Sequence, residues 1–247
     1  METQLSEHLN IAARSKLWHT LQSFVNPESN MIDFAKRREV MVDTQIRPSD
    51  VTKFPVLKAM MDVPREMFVP RDKRDIAYIG ESVELGNGRV VLDPRILAKL
   101  LDALDLSNDE LVLDIGAGLG YSSALMAQLS EAVVAVEEDD GLIQEAEEAL
   151  REINVDNVCV EQATLSAGAP EHGPYDVIVM QGAVETIPES VLSQLKEGGR
   201  IGCIIVEQGV GKAQIGYKRN GKISWRFAFN AGAPVLSGYE RERAFAL

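Results

Sequence analysis

From residue 111 onward, short apolar runs alternate with stretches of helical spacing. The runs Leu111–Ile115, Val133–Glu137, Asn157–Gln162, Tyr175–Met180 and Arg200–Val206 read as strands, with helices between them at Tyr121–Leu129, Leu142–Ile153 and Glu189–Leu195. Continuous apolar runs separated by helices are the mark of parallel strands buried on both faces. After Val206 the rhythm becomes strand, turn, strand: Ala213–Lys218, Asn220-Gly221, then Ile223–Phe229. Asn-Gly between two such runs is a strong hairpin signal. The pattern predicts an α/β, Rossmann-like sheet of seven strands, five of them parallel, closed by an antiparallel hairpin.

The chain before residue 111 reads differently. In residues 1–30, Leu5, Leu9, Leu17, Leu21 and Val25 recur at multiples of four, and Asn26-Pro27-Glu28-Ser29-Asn30 ends the helix. This amphipathic helix has no basic start and no continuous apolar core, so it is not a secretory signal. It is expected to pack on the body of the protein or on a second subunit, which would make a homo-oligomer. Residues 31–110 form a helical cap: helical spacing over Ile32–Ile46, a break at Arg47-Pro48-Ser49-Asp50, a helix over 50–62, and a helix over Ile96–Leu104. Between the last two, Gly80 to Pro94 reads as an ordered loop. The expected division is therefore 1–30, 31–110 and a sheet domain over 111–247.

Charge alters this picture by its distribution. The formal net charge is −13, but residues 1–100 carry +1, residues 101–200 carry −18 and residues 201–247 carry +4. Such an acidic middle block repels phosphate backbones and argues against nucleic-acid partners. No apolar run approaches the roughly 20 residues of a membrane-spanning helix. Cys159 and Cys203 both lie in apolar runs and read as buried thiols of a reducing, cytoplasmic compartment. No HExxH, CxxC or clustered His/Asp arrangement points to a metal.

The chemistry concentrates at Asp114-Ile115-Gly116-Ala117-Gly118-Leu119-Gly120, where a strand meets a helix. Gly116 and Gly118 permit a tight turn and close backbone approach to a ligand, and Gly120 permits close helix packing. The spacing is GxGxG rather than the GxGxxG of dinucleotide sites, and an acid precedes it. A ligand with an ammonium and no phosphate suits that combination, and S-adenosylmethionine has this character. Glu137 ends the next strand, where a carboxylate can accept both hydroxyls of a ribose.

Several segments together are similar to the protein-L-isoaspartate O-methyltransferases. These are Val63-Pro64-Arg65-Glu66-Met67-Phe68-Val69-Pro70, Ala77-Tyr78, the Leu113–Tyr121 loop, Pro174-Tyr175-Asp176, Ile187-Pro188 and Gln194-Leu195-Lys196-Glu197-Gly198-Gly199-Arg200. They keep the family's order over residues 31–206. The resemblance implies a class I methyltransferase that takes its methyl group from S-adenosylmethionine and transfers it to an isoaspartyl or other carboxylate of a protein or peptide. Asp114, Gly116, Gly118, Gly120 and Glu137 would bind the donor, with Thr164 beside the adenine in place of the family's GDG, here Ala163-Thr164-Leu165. In the loop over 80–95 the family's GQTIS-x-P becomes Gly88-Arg89-Val90-Val91-Leu92-Asp93-Pro94. Leu92 stands where the serine beside the substrate is expected, and a leucine cannot donate a hydrogen bond. Arg89 and Asp93 are the polar candidates for contacting the acceptor instead. Two other readings remain: a non-catalytic module that binds the donor, and a methyltransferase for a different small molecule.

Overall fold

The computed structural model describes residues 33–241; the helix expected over 1–30 lies outside the described residues. Helix α1 (Phe34–Met41) continues into a π-helical turn, Val42–Ile46, and a 3-10 turn that stops at Asp50 in the left-handed region. Pro48 and Asp50 explain the stop: one lacks an amide hydrogen, the other holds φ at 63°. Helix α2 (Phe54–Asp62) begins with a proline in its first turn and ends at Val63 before Pro64. Two short 3-10 turns then carry the chain to β1 (Val83–Gly86) and β2 (Arg89–Val91).

That antiparallel pair replaces the loop expected over Gly80–Pro94. Asn87 and Gly88, both at positive φ, form its turn, so the Asn-Gly signal used for the later hairpin was present here too. Helix α3 (Pro94–Leu104) follows, capped by Asp93, whose side chain accepts from the Arg95 amide.

The main sheet comprises β3 (Leu111–Ile115), β4 (Ala132–Glu137), β5 (Val158–Gln162), β6 (Tyr175–Val184), β7 (Leu195–Glu207), β8 (Val210–Arg219) and β9 (Lys222–Asn230). Their spatial order is β5-β4-β3-β6-β7-β8-β9. The first five pair in parallel, and the β7–β8 and β8–β9 pairs are antiparallel. Helices α4 (Tyr121–Ala127) and α5 (Asp140–Glu152) make the first crossovers, while α6 (Glu189–Leu192) is a single turn. The seven-stranded mixed sheet is as the sequence pattern predicts.

Strand alternation divides the core between the two faces of the sheet. Val112, Val133 and Val177 join α1–α4 on one face; Leu113, Val134, Ile178 and Cys203 join Leu165, Tyr175 and Tyr239 on the other. Cap helices and sheet strands thus share a single hydrophobic cluster from Met41 to Ile215. Cys159 departs from expectation: β5 is the sheet's edge strand, and its outward positions remain accessible, so this thiol is exposed while Cys203 is buried.

Beyond β9 the chain returns to the end of β6. Val235 bridges Ala183, the Ala183 amide donates to the Pro234 carbonyl at 2.8 Å, and the Leu236 amide donates back to Ala183 at 2.9 Å. Tyr239 is wholly buried there and donates its hydroxyl to the Leu165 carbonyl at 2.8 Å. Among the described residues, no helix is long and apolar enough to cross a membrane.

Candidate functional site

β3 delivers Asp114 and Ile115 to the carboxyl edge of the parallel strands, where ligands of open α/β sheets bind. The amides of Gly116 and Ala117 donate to the Val136 carbonyl at 2.9 and 3.2 Å, tying the glycine loop to β4. Gly116 has φ 79° and Gly118 φ 57°, values that side chains rarely tolerate. Gly120 serves packing: a Cβ there would lie 3.4 Å from the Ala146 Cβ of α5.

Asp114 is wholly buried beneath this loop. Its Oδ2 accepts from the Ser122 and Ser123 hydroxyls, each at 2.6 Å, and its Oδ1 accepts from Gln181 Nε2 at 2.7 Å. Burial pushes this carboxyl above its usual range, opposed by those three bonds and by the nearby positive charge of Arg89. With both oxygens committed internally, Asp114 fixes the loop to α4 and β6. Gln181 enters from the irregular stretch of β6 between Val179 and Ala183. The spacing of the motifs gives no hint of it, because it lies 67 residues from its partner.

Glu137 closes β4, fully buried, with its carboxylate directed at the glycine loop. Oε2 accepts from the Gly118 amide at 2.8 Å, and Oε1 accepts from the Glu138 amide at 3.0 Å and the Asp139 amide at 3.4 Å. The remaining partner is Arg89. Its Nη2 donates to Oε2 at 2.7 Å and its Nε to Oε1 at 3.4 Å, making an ion pair in which both side chains are almost completely buried. Arg89, expected to face an acceptor, is turned inward from β2 onto the chain's own carboxylate.

The guanidinium lies on the glycine loop. A Cβ placed on Gly116 would come within 2.6 Å of Arg89 Nη2, and one on Gly118 within 2.7 Å of Leu85 Cδ1. At Gly116 and Gly118 the loop presents bare backbone, and Arg89 and Leu85 of the β1–β2 hairpin fill that space.

Other expected residues are placed as follows. Leu92 is buried, and its carbonyl accepts from Arg65 Nη2 at 2.8 Å. Asp93 caps α3 and pairs with Arg95. Thr164 is exposed in the turn after β5, its carbonyl accepting from the Ala167 amide. Arg65, from the PRExFVP run, is wholly buried: Nε donates to the Ala77 carbonyl at 2.7 Å, and the guanidinium lies 4.8 Å over the Tyr121 ring. It ties the cap to the first residue of α4, and this accounts for an arginine within an apolar motif. Glu66 accepts from the Tyr78 hydroxyl and from Arg38 Nη2, so the neighbouring motif residues also brace the cap. Away from the glycine loop, β5 and the segment before β6 bring Cys159, Glu161 and His172 together, with ligand atoms within 4.8 Å of one another. No metal-ligand spacing in the chain signals this grouping, since Glu161 and His172 stand eleven residues apart and meet only through the fold.

A parallel sheet with a positive-φ glycine loop after its first strand, a buried carboxylate ending the second, and an antiparallel hairpin closing the far side defines a Rossmann-like, S-adenosylmethionine-dependent methyltransferase fold. Residues 36–229 match the family Protein-L-isoaspartate(D-aspartate) O-methyltransferase (PCMT). The chain is 40% identical over 168 residues to protein-L-isoaspartate O-methyltransferase 1 of Rhodopseudomonas palustris, covering 68% of this chain and 69% of that one. It is 38% identical over 168 residues to the Synechococcus sp. enzyme of the same name, with the same coverages. Among solved structures, a protein-L-isoaspartate O-methyltransferase superposes with a TM-score of 0.71 at 24% identity, covering 82% of this chain and 66% of that one. The Plasmodium falciparum beta-aspartate methyltransferase (PCMT), in complex with S-adenosyl-L-homocysteine, gives 0.70 at 20% identity, covering 83% and 99%. The chain belongs to the protein-L-isoaspartate O-methyltransferase family.

Proposed function

We propose that the chain binds S-adenosylmethionine on the glycine loop and Glu137 and methylates a carboxylate, the isoaspartyl group of a damaged protein or peptide being the acceptor its family indicates. The carrying observation is Glu137: a wholly buried carboxylate at a strand end, held by the Gly118 amide beside the bare backbone of Gly116 and Gly118. The residues present fit the donor in kind. Glu137 would hold the ribose hydroxyls, Gly116 and Gly118 would admit the methionine portion against the backbone, and the exposed Thr164 would meet the adenine. Asp114 would act through the loop it anchors.

When bound, S-adenosylmethionine supplies a methyl group already activated by its sulfonium, which a carboxylate takes by direct displacement without a general base. The chain's contribution is to align the two and keep water out. With Leu92 buried in the serine's place, the carboxylate must be oriented by other groups around the 80–95 segment. Unpaired Cys159 and Cys203 support a reducing, cytoplasmic setting.

The test combines calorimetric titration with S-adenosylmethionine and labelled methyl transfer to an isoaspartyl peptide, with its aspartyl twin as control. Saturable binding that Glu137→Gln abolishes, and ester formation on the isoaspartyl peptide alone, are expected. If neither the wild type nor a variant freed of the Arg89–Glu137 pair binds at millimolar ligand, the donor reading falls. Binding with transfer to neither peptide overturns the isoaspartyl acceptor alone.

A further inference from the structure

Resting on the donor reading above, we infer that Arg89 is a competitive occupant of the donor site: the donor and the Arg89 guanidinium require the same carboxylate, so Arg89 sets donor affinity.

The argument is one of hydrogen-bond capacity. A carboxylate offers about four lone-pair sites. Glu137 already receives the Gly118, Glu138 and Asp139 amides and two Arg89 nitrogens. Three of these donors are backbone amides that hold the strand end and the turn into α5 in shape. With those amides in place, ribose hydroxyls can reach the carboxylate only where the guanidinium now sits. Space gives the same answer independently. The Arg89 nitrogens and Leu85 Cδ1 lie on Gly116 and Gly118 at distances that a mere Cβ would violate, so a ligand on the loop must displace both.

The occupant is built to be displaced. It is carried by a two-stranded hairpin that joins the core through Val83, Val90 and Val91 but pairs with no strand of the main sheet, so no ladder hydrogen bonds to that sheet hold Arg89. Outside the hairpin, polar anchoring near its tip is thin: Lys73 Nζ donates to the Glu84 carbonyl, and Asn87 Nδ2 reaches Asp139 Oδ2 only at 3.5 Å. Arg89 Nη1 is buried without a hydrogen-bond partner. The closed arrangement therefore contains one unsatisfied donor that swinging out to water would satisfy. Position matters as well as charge. Arg89 stands where the sequence resemblance places a glutamine, which cannot form a two-point ion pair with Glu137.

Calorimetric titration with S-adenosylhomocysteine, comparing wild type with Arg89→Gln, tests this. The variant should bind at least about tenfold more tightly, a difference of about 1.4 kcal/mol. Equal or weaker binding by a folded variant overturns the competition and leaves the donor reading standing. If neither protein binds, both fall. Should Arg89→Gln not fold, the wild type itself reports the result. Saturating S-adenosylhomocysteine should shift or abolish the protected Nε–H resonance of Arg89 in a nitrogen-15 correlation spectrum, and an unchanged resonance at saturation overturns the inference.

Discussion

At the scale of single residues, the buried carboxylates of this site do different work. Asp114 receives three side-chain hydrogen bonds and anchors the loop, whereas Glu137, equally buried, accepts from the Gly118 amide and from Arg89. Burial raises the Asp114 pKa, so the folded protein holds that proton more tightly than the unfolded chain does. Its contribution to stability is complete below the ordinary value of 3.8 and declines as pH rises through the raised folded value. Asp114→Asn removes this dependence while keeping an oxygen for Gln181. In urea titrations from about pH 4 to 7, the wild type should lose stability relative to Asp114→Asn as pH increases; an opposite slope would contradict the raised value. The glycine loop and Glu137 were legible in the sequence because local spacing after two successive strands places them. The partners were not. Arg89 reaches Glu137 across 48 residues and Gln181 reaches Asp114 across 67, distances over which only the fold determines who meets whom.

At the scale of elements, periodicity located the strands well and the segment before them less well. β3 is bounded as its apolar run suggests, while β6 and β7 extend further, to Val184 and from Leu195. Their extra length includes shifts of register between Tyr175 and Val177 and between Val179 and Ala183, which no alternation of residue types signals. The β1–β2 hairpin was hidden because its strands are short and its surroundings glycine-rich, although Asn87-Gly88 marked the turn. Helix α3 supplies a prediction at this scale, since Asp93 serves as its N-cap rather than standing free for an acceptor. Asp93→Ala should lower the unfolding free energy by about 1–2 kcal/mol. Asp93→Asn should cost less, because an amide oxygen can still accept from the Arg95 amide. Equal losses in chemical denaturation would mean that the cap is not what Asp93 contributes.

At the scale of the molecule, most of the net charge of −13 belongs to the sheet half, residues 111–247, which carry −10. Two acids of that half, Asp114 and Glu137, are buried at the site. Cap and sheet are joined by their shared core and by Arg65, which spans the Ala77 and Leu92 carbonyls and the Tyr121 ring. The segment after β9 completes the opposite face. Leu236 presses on Gly182, where a Cβ would lie 2.5 Å from Leu236 Cδ2. Leu236→Ala should therefore destabilise by about 2–5 kcal/mol, read as a lower urea midpoint; a loss well below that range would show the face to be closed without it. The return of this segment to β6 also bears on the order of events during synthesis. Gln181 is translated some fifty residues before Pro234, Leu236 and Tyr239, which secure the strand end just beyond it. A nascent chain that has already emerged past β9 can have every strand of its sheet and still lack the backbone partners of Ala183, Glu185 and Thr186 at the end of β6. Closure of the β6 end, two residues past Gln181, therefore waits for the last-made part of the described chain.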